Sequence, residues 1–141
     1  QILCEAGLLP GTLRHNESRK FICRNVLLKP VSRTAAVSAG CDTETPLVIP
    51  IAHGEGNYFI GDDGLKSLQD NDQILFQYCD EQGNVNAMSN PNGALLNIAG
   101  VCNEGKNVFG MMPHPERACS DDLANADGRA ILQGLAEQVL A

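Results

Sequence analysis

The chain has 141 residues, 43 % of them hydrophobic but only 4 % aromatic, with no tryptophan. That is the size of one domain or a large part of one, with an aliphatic core. A net charge of −7 and the lack of a basic run argue against a nucleic-acid or membrane-surface face, and no apolar run nears the roughly 20 residues needed to span a bilayer.

The chain opens on QILCEAGLL, residues 1–9. Ile2, Leu3, Ala6 and Leu9 share one helical face there, and Pro10-Gly11 ends the element. An opening inside an amphipathic helix predicts that the helix's first turn, and an N-terminal portion of the domain, precede Gln1. Residues 20–31 read as a strand, and residues 32–45 as a looser stretch of small side chains. PLVIPIA, residues 46–52, is a second strand ending at His53. The glycine- and charge-rich HGEGNYFIGDDG reads as a loop followed by Tyr58, Phe59 and Ile60. Residues 65–69 form a short helix at best, residues 73–79 a strand, and Glu81-Gln82-Gly83-Asn84 a turn.

SNPNG, residues 89–93, is a turn by composition. Two apolar runs, 94–102 and 107–112, are joined by Asn103-Glu104-Gly105-Lys106, which is a hairpin signal. Residues 127–140 form the clearest helix, with Ala130, Ile131, Leu135, Val139 and Leu140 near one face and Asp127 as its N-cap. No repeat, low-complexity segment or linker interrupts the chain, so residues 1–141 read as a single domain, truncated at its N-terminus.

Six cysteines occur, at positions 4, 23, 41, 79, 102 and 119, with no Cys-x-x-Cys pair. That argues against a zinc site and fits reduced thiols in a cytoplasmic protein. The hairpin delivers the chain to MMPHPERA. Pro113 and Pro115 flank His114 and hold it out of helical conformation, with Glu116 two residues on. One reading is a general base with a carboxylate that fixes its tautomer. The other is a strand-end His in a proline turn, with Glu116 paired to Arg117 in solvent.

A base needs a nucleophile to activate. The only approach to an elbow pattern is Gly100-Val101-Cys102, but a polar turn and a second strand follow it, where an elbow requires a helix. Cys102 therefore reads as a hairpin cysteine, and Cys4 and Cys41 lack any acceptor pattern. The attacking group is expected before Gln1.

Four segments, QILCEAGLLPG, IAHGEGNY, NPNG with IAGVCNEGKNVFGMMPHPERA, and DGRAILQGL, resemble the class I, triad-type glutamine amidotransferases. Within that family the resemblance is to the C-terminal part of the glutaminase subunits of phosphoribosylformylglycinamidine synthase. It implies a flavodoxin-like three-layer α/β sandwich and a Cys-His-Glu triad, with His114 and Glu116 matching the last two members. The triad's cysteine would lie four residues before Gln1, in a Gly-x-Cys-Asn-Gly-Phe-Gln elbow whose last residue is Gln1. Gln1, Ala52, His53, Gly54 and Glu55 match positions that hold the substrate glutamine.

Each match has a plainer reading. Gln1 can be a solvated side chain, His53 a satisfied strand-end His, and Glu55 a loop charge. Asn90, Asn92 and Gly93 read as turn-formers rather than ligands, and Arg117 as an interface or structural charge.

The implied chemistry is hydrolysis of L-glutamine to glutamate and ammonia, the ammonia passing to a larger synthetase subunit assisted by a small accessory subunit. The resemblance places ATP and Mg²⁺ on that synthetase subunit. This chain contains no Gly-x-x-x-x-Gly-Lys-Ser/Thr loop, so no cofactor is assigned to it. Two other readings stay open: a different cysteine hydrolase using Cys102 with His114, and a non-catalytic fragment that binds a partner. The isolated 141 residues are expected to be inactive.

Overall fold

A computed structural model describes residues 1–141. Its elements in chain order are α1 (Ile2–Glu5), β1 (Thr12–Arg14), β2 (Ile22–Pro30), α2 (Ala36–Ala39), β3 (Leu47–His53), β4 (Asn57–Phe59), α3 (Asp62–Asp70), β5 (Ile74–Cys79), β6 (Ile98–Cys102), β7 (Phe109–Met111) and α4 (Arg129–Leu140). Five strands form one sheet in the order β3-β2-β5-β6-β7, and β1 pairs with β4 in a separate ribbon.

The alternation in LVIPIAH decides which face of β3 is inside. Leu47, Ile49, Ile51 and His53 are buried, whereas Val48, Pro50 and Ala52 are half-buried. The register pairs Leu28 with Leu47 and Val26 with Ile49, which places Val26 and Leu28 on the same inner face. The central strand β5 has no such alternation, because Ile74, Leu75, Phe76, Tyr78 and Cys79 are all buried. Above the sheet, α2 packs against both β5 and α4, and Ile131 of α4 is fully buried.

The α/β class holds, but every strand pair is antiparallel, unlike the parallel pairs that a flavodoxin-like sandwich implies. The physical reason is the connections. A parallel pair needs a crossover of a dozen or more residues, usually helical, and the short hairpin between Cys102 and Phe109 excludes one for β6 and β7; the longer connection from β2 to β3, which carries α2, does not by itself decide their direction.

Three expectations are corrected. Helix α1 is a single turn from which Ile2 is 80 % exposed. Helix α3 starts earlier than residue 65, because Asp62 and Asp63 supply an acidic first turn that suits the helix dipole. Asp127 does not cap α4, whose cap position is Gly128 and makes no side-chain bond. Its carboxylate instead accepts the Val48 backbone N–H at 2.8 Å.

That last bond belongs to a set. Strand β3 ends the sheet, so its outer N–H and C=O groups have no neighbouring strand. The segment after β7 satisfies those of Val48 and the carbonyl of Pro50. Asn125 Nδ2 donates to the Val48 carbonyl at 2.7 Å, Asp127 accepts from Val48 N–H, and the backbone N–H of His114 donates to the Pro50 carbonyl at 2.9 Å. Pro50 has no N–H to satisfy.

Candidate active site

His114 is mounted from both sides. Before it, Met112 N–H donates to the Ala99 carbonyl at 3.0 Å, which extends the β6–β7 pairing by one bond. After it, Pro115 opens a 3₁₀ turn, Pro115–Arg117, in which Arg117 N–H donates back to the His114 carbonyl at 3.1 Å. With its own N–H bonded to Pro50, the residue holds an extended backbone at φ −104°, ψ 90°.

The His114 ring lies 2.8 Å, Nδ1 to Oε1, from Glu116, with the two side chains 34 % and 59 % exposed. Glu116 thus pairs with the imidazole rather than with Arg117. A carboxylate on Nδ1 selects the Nδ1–H tautomer and leaves Nε2 as the basic nitrogen. Nε2 has no protein partner.

The C-terminal end of β3, three residues past Pro50, carries the loop from His53 to Gly56. His53 is only 6 % exposed. Its Nδ1 lies 3.1 Å from Asn16 Oδ1 and its Nε2 lies 3.4 Å from Asn92 Nδ2. Burial, and secondarily the charge of the nearby His114, hold its pKa below the ordinary 6.5. Gly54 accepts a backbone bond from Asn16 N–H at 2.9 Å. Glu55 turns outward and meets the exposed His15, Oε1 to Nδ1, at 3.5 Å, a pair that surface screening makes weak. Ala52 precedes the loop, half-buried on the opposite face of β3 from His53.

Gln1 stands apart from this group. Its amide donates to Glu5 Oε1 at 2.8 Å, and it borders an apolar cavity of about 180 Å³ with Cys4, Leu9, Tyr58 and Met112. The lining reaches Met112 but not His114. The structure therefore pairs His114 with Glu116 and anchors it at Pro50, three residues along β3 from His53, and leaves Gln1 at a cavity whose lining includes none of these side chains.

None of the thiols forms a hydrogen bond to His114. Cys102 is buried, with Sγ directed at the Gln73 carbonyl at 3.6 Å, and burial pushes its pKa up. It pairs with Phe109, so His114 lies five residues along from its partner. At ~3.3 Å per strand residue that is on the order of 10 Å or more. Burial also pushes Cys79 up to about 11 and raises Cys4 and Cys41. No group of three His, Cys, Asp or Glu side chains converges to hold a metal ion.

A family model described as a CobB/CobQ-like glutamine amidotransferase domain matches residues 1–131. The chain belongs to that glutamine amidotransferase family. This amidotransferase chain is 48 % identical over 135 residues to the phosphoribosylformylglycinamidine synthase subunit PurQ of Chlorobium chlorochromatii, covering 96 % of the chain and 58 % of the relative. It is 50 % identical over 135 residues to the PurQ of Pelagibacter ubique, covering 96 % and 59 %. Among solved structures it is similar to PurLQS from Thermotoga maritima, at TM-score 0.79 and 36 % identity over 99 % of this chain and 57 % of that one. The amidotransferase chain thus spans a little under three fifths of the length of these relatives.

Sequence reasoning missed Asn16 altogether and assigned Asn92 only to a turn. Both are 1 % exposed. Asn92 left a signal in the NPNG string. Asn16 left none, since its partners lie 37 and 40 residues away.

Proposed function

We propose that this chain is part of the glutaminase subunit of phosphoribosylformylglycinamidine synthase in de novo purine biosynthesis. That subunit hydrolyses the side-chain amide of L-glutamine to glutamate and ammonia. The observation that carries the reading is the His114 imidazole with Nδ1 on Glu116 and Nε2 open, its backbone anchored to Pro50 of the strand that leads into the loop from His53 to Gly56. Membership of the amidotransferase family and the PurQ relatives support it.

In this mechanism a cysteine outside residues 1–141 attacks the carboxamide carbon. Nε2 of His114 takes the thiol proton and returns it to the departing ammonia. Neutral His114 then activates the water that cleaves the thioester, while Glu116 orients the ring and offsets its charge. By the family match, Gln1, Ala52, His53, Gly54 and Glu55 are the glutamine-holding positions, with Gln1 reaching the site from the cavity side. Gly54 and Glu55 are the parts of the loop that face outward, and His53 supports them from below.

The fold this reading implies for the complete subunit is a flavodoxin-like sandwich, in which the antiparallel sheet seen here is one region. The ammonia passes to a larger synthetase subunit, with a small accessory subunit, and ATP and Mg²⁺ act there rather than on this chain. The cytoplasm is the expected location, and no helix here is long and apolar enough to cross a membrane.

The test is a glutaminase assay on the full-length subunit reconstituted with its synthetase partner. Release of glutamate that rises with the partner, and disappears in His114→Asn, is the expected result. Undiminished turnover in His114→Asn overturns the reading.

A further inference from the structure

Asn16 lies in the turn between β1 and β2, far in sequence from the loop it touches, yet it contacts that loop through nearly every polar atom it has. Its backbone N–H donates to the Gly54 carbonyl at 2.9 Å. Its Nδ2 donates to the His53 carbonyl at 2.9 Å and to the Lys20 carbonyl at 2.7 Å. Its Oδ1 accepts the Gly56 N–H at 2.9 Å and faces His53 Nδ1 at 3.1 Å.

These partners determine proton positions that coordinates alone leave open. Two carbonyls against Nδ2 require the NH₂ of Asn16 on that side, so the atom facing the ring is the oxygen. His53 Nδ1 must then carry a proton. On the other side, Asn92 Oδ1 accepts the Ala94 N–H at 3.1 Å, which turns its NH₂ toward the ring and toward the Tyr78 hydroxyl at 3.2 Å. His53 Nε2 must therefore accept, and the ring is neutral. Gly56 closes the arrangement, since a Cβ there would overlap the His53 ring.

We infer that Asn16 is a positioning residue for the loop from His53 to Gly56, holding its backbone directly and through a neutral, Nδ1-protonated His53 braced by Asn92. The inference rests on the proposed role of that loop in holding glutamine, but the tautomer can be read without it. Asn16 touches no reacting atom in this arrangement. It sets where the Gly54 and Glu55 backbone stands, so its loss weakens substrate holding more than it slows chemistry.

Two measurements test it on the full-length subunit. The first is a long-range ¹H–¹⁵N correlation spectrum of the wild-type imidazoles. His53 is expected with Nε2 unprotonated and Nδ1 protonated near neutral pH; the opposite tautomer, or a freely averaging ring, overturns the inference. The second compares variants in the complex with the synthetase partner.

Asn mimics the Nδ1–H of histidine and Gln mimics its Nε2. His53→Asn should therefore keep the bond to Asn16 and raise the glutamine KM less than His53→Gln does. Asn16→Ala should raise KM about tenfold with kcat changed less than about twofold. Equal KM values for the two His53 variants, or a fall confined to kcat in Asn16→Ala, overturn it. If the wild-type complex releases no glutamate, the glutaminase reading fails, and the spectrum still decides the bracing of His53.

Discussion

The backbone N–H of His114 is bonded to the carbonyl of Pro50 at 2.9 Å. The proposed base is therefore anchored to the outer strand of the sheet rather than carried on a free loop. Position and tautomer are fixed by different groups, since Pro50 holds the main chain and Glu116 holds the ring.

That division predicts separable effects. Glu116→Gln leaves the backbone anchor intact but removes the charge that stabilises imidazolium. In the reconstituted complex kcat should fall about 10²-fold or more, with KM little altered. A stopped assay of glutamate release across a range of glutamine concentrations reads both constants, and a kcat near wild type would count against the pairing as functional.

Asp127 acts on the anchor from the other end. Asp127→Ala leaves the Val48 N–H without its partner in a part-buried setting. An unpaired group of this kind costs about 1–3 kcal/mol, so denaturant unfolding of the full-length subunit should shift to a lower midpoint. Asp127→Asn, which keeps an acceptor oxygen, should recover most of the loss.

His53 makes stability depend on pH. Its pKa is lowered by burial, so the unfolded chain binds its proton more readily than the folded one. The sign follows: this contribution is fully present above the unfolded value of 6.5 and is lost as pH falls through and below it. The stability gap between wild type and His53→Asn should narrow on acidification from neutral pH, as measured by urea unfolding at each pH. A gap that widens would contradict the neutral buried ring.

Gly134 sets two effects against each other. Alanine is preferred inside a helix by about 1 kcal/mol, but a Cβ on Gly134 would collide with the Ala36 carbonyl where α4 crosses α2. Overpacking of this kind costs about 1–3 kcal/mol, and the obstacle is main chain that cannot rotate away. Gly134→Ala should therefore lower the thermal midpoint in a calorimetric scan, despite the better helix propensity.

Cys102→Ala should retain glutamine turnover, since Sγ points at the Gln73 carbonyl in the interior. Its cost is to stability alone, about 1 kcal/mol for a small buried side chain. Loss of activity with an unchanged melting point would instead make Cys102 a participant in the chemistry.

The strands of the five-stranded sheet were the legible part of the chain, whereas β1, three residues long, was missed. Val26, Leu28, Ile49 and Ile51 alternate with more exposed neighbours, and the turn between β6 and β7 is written in Asn103 to Lys106. The pairing of His114 with Glu116 was one of two readings the residues left open, and the 2.8 Å contact selects it over a Glu116–Arg117 pair. What escaped was governed by pairing across the chain. Asp127 looks like a cap until Val48, 79 residues away, takes its carboxylate. Helix α2 is a single turn with no room for a period, and Asn16 shows its importance only once His53 and Gly56 are folded over it. The strand directions were not legible either, since they depend on pairing across the chain and not on the pattern within each run.

The occupied side of β3 also gives the sheet a direction of growth. At that border Val48 is taken by Asp127 and Asn125, Pro50 offers only an acceptor already bonded to His114, and a proline cannot supply the missing rung. The sheet's other border is Phe109–Met111, three residues along the chain from His114, and a further strand that continues this sheet would join there.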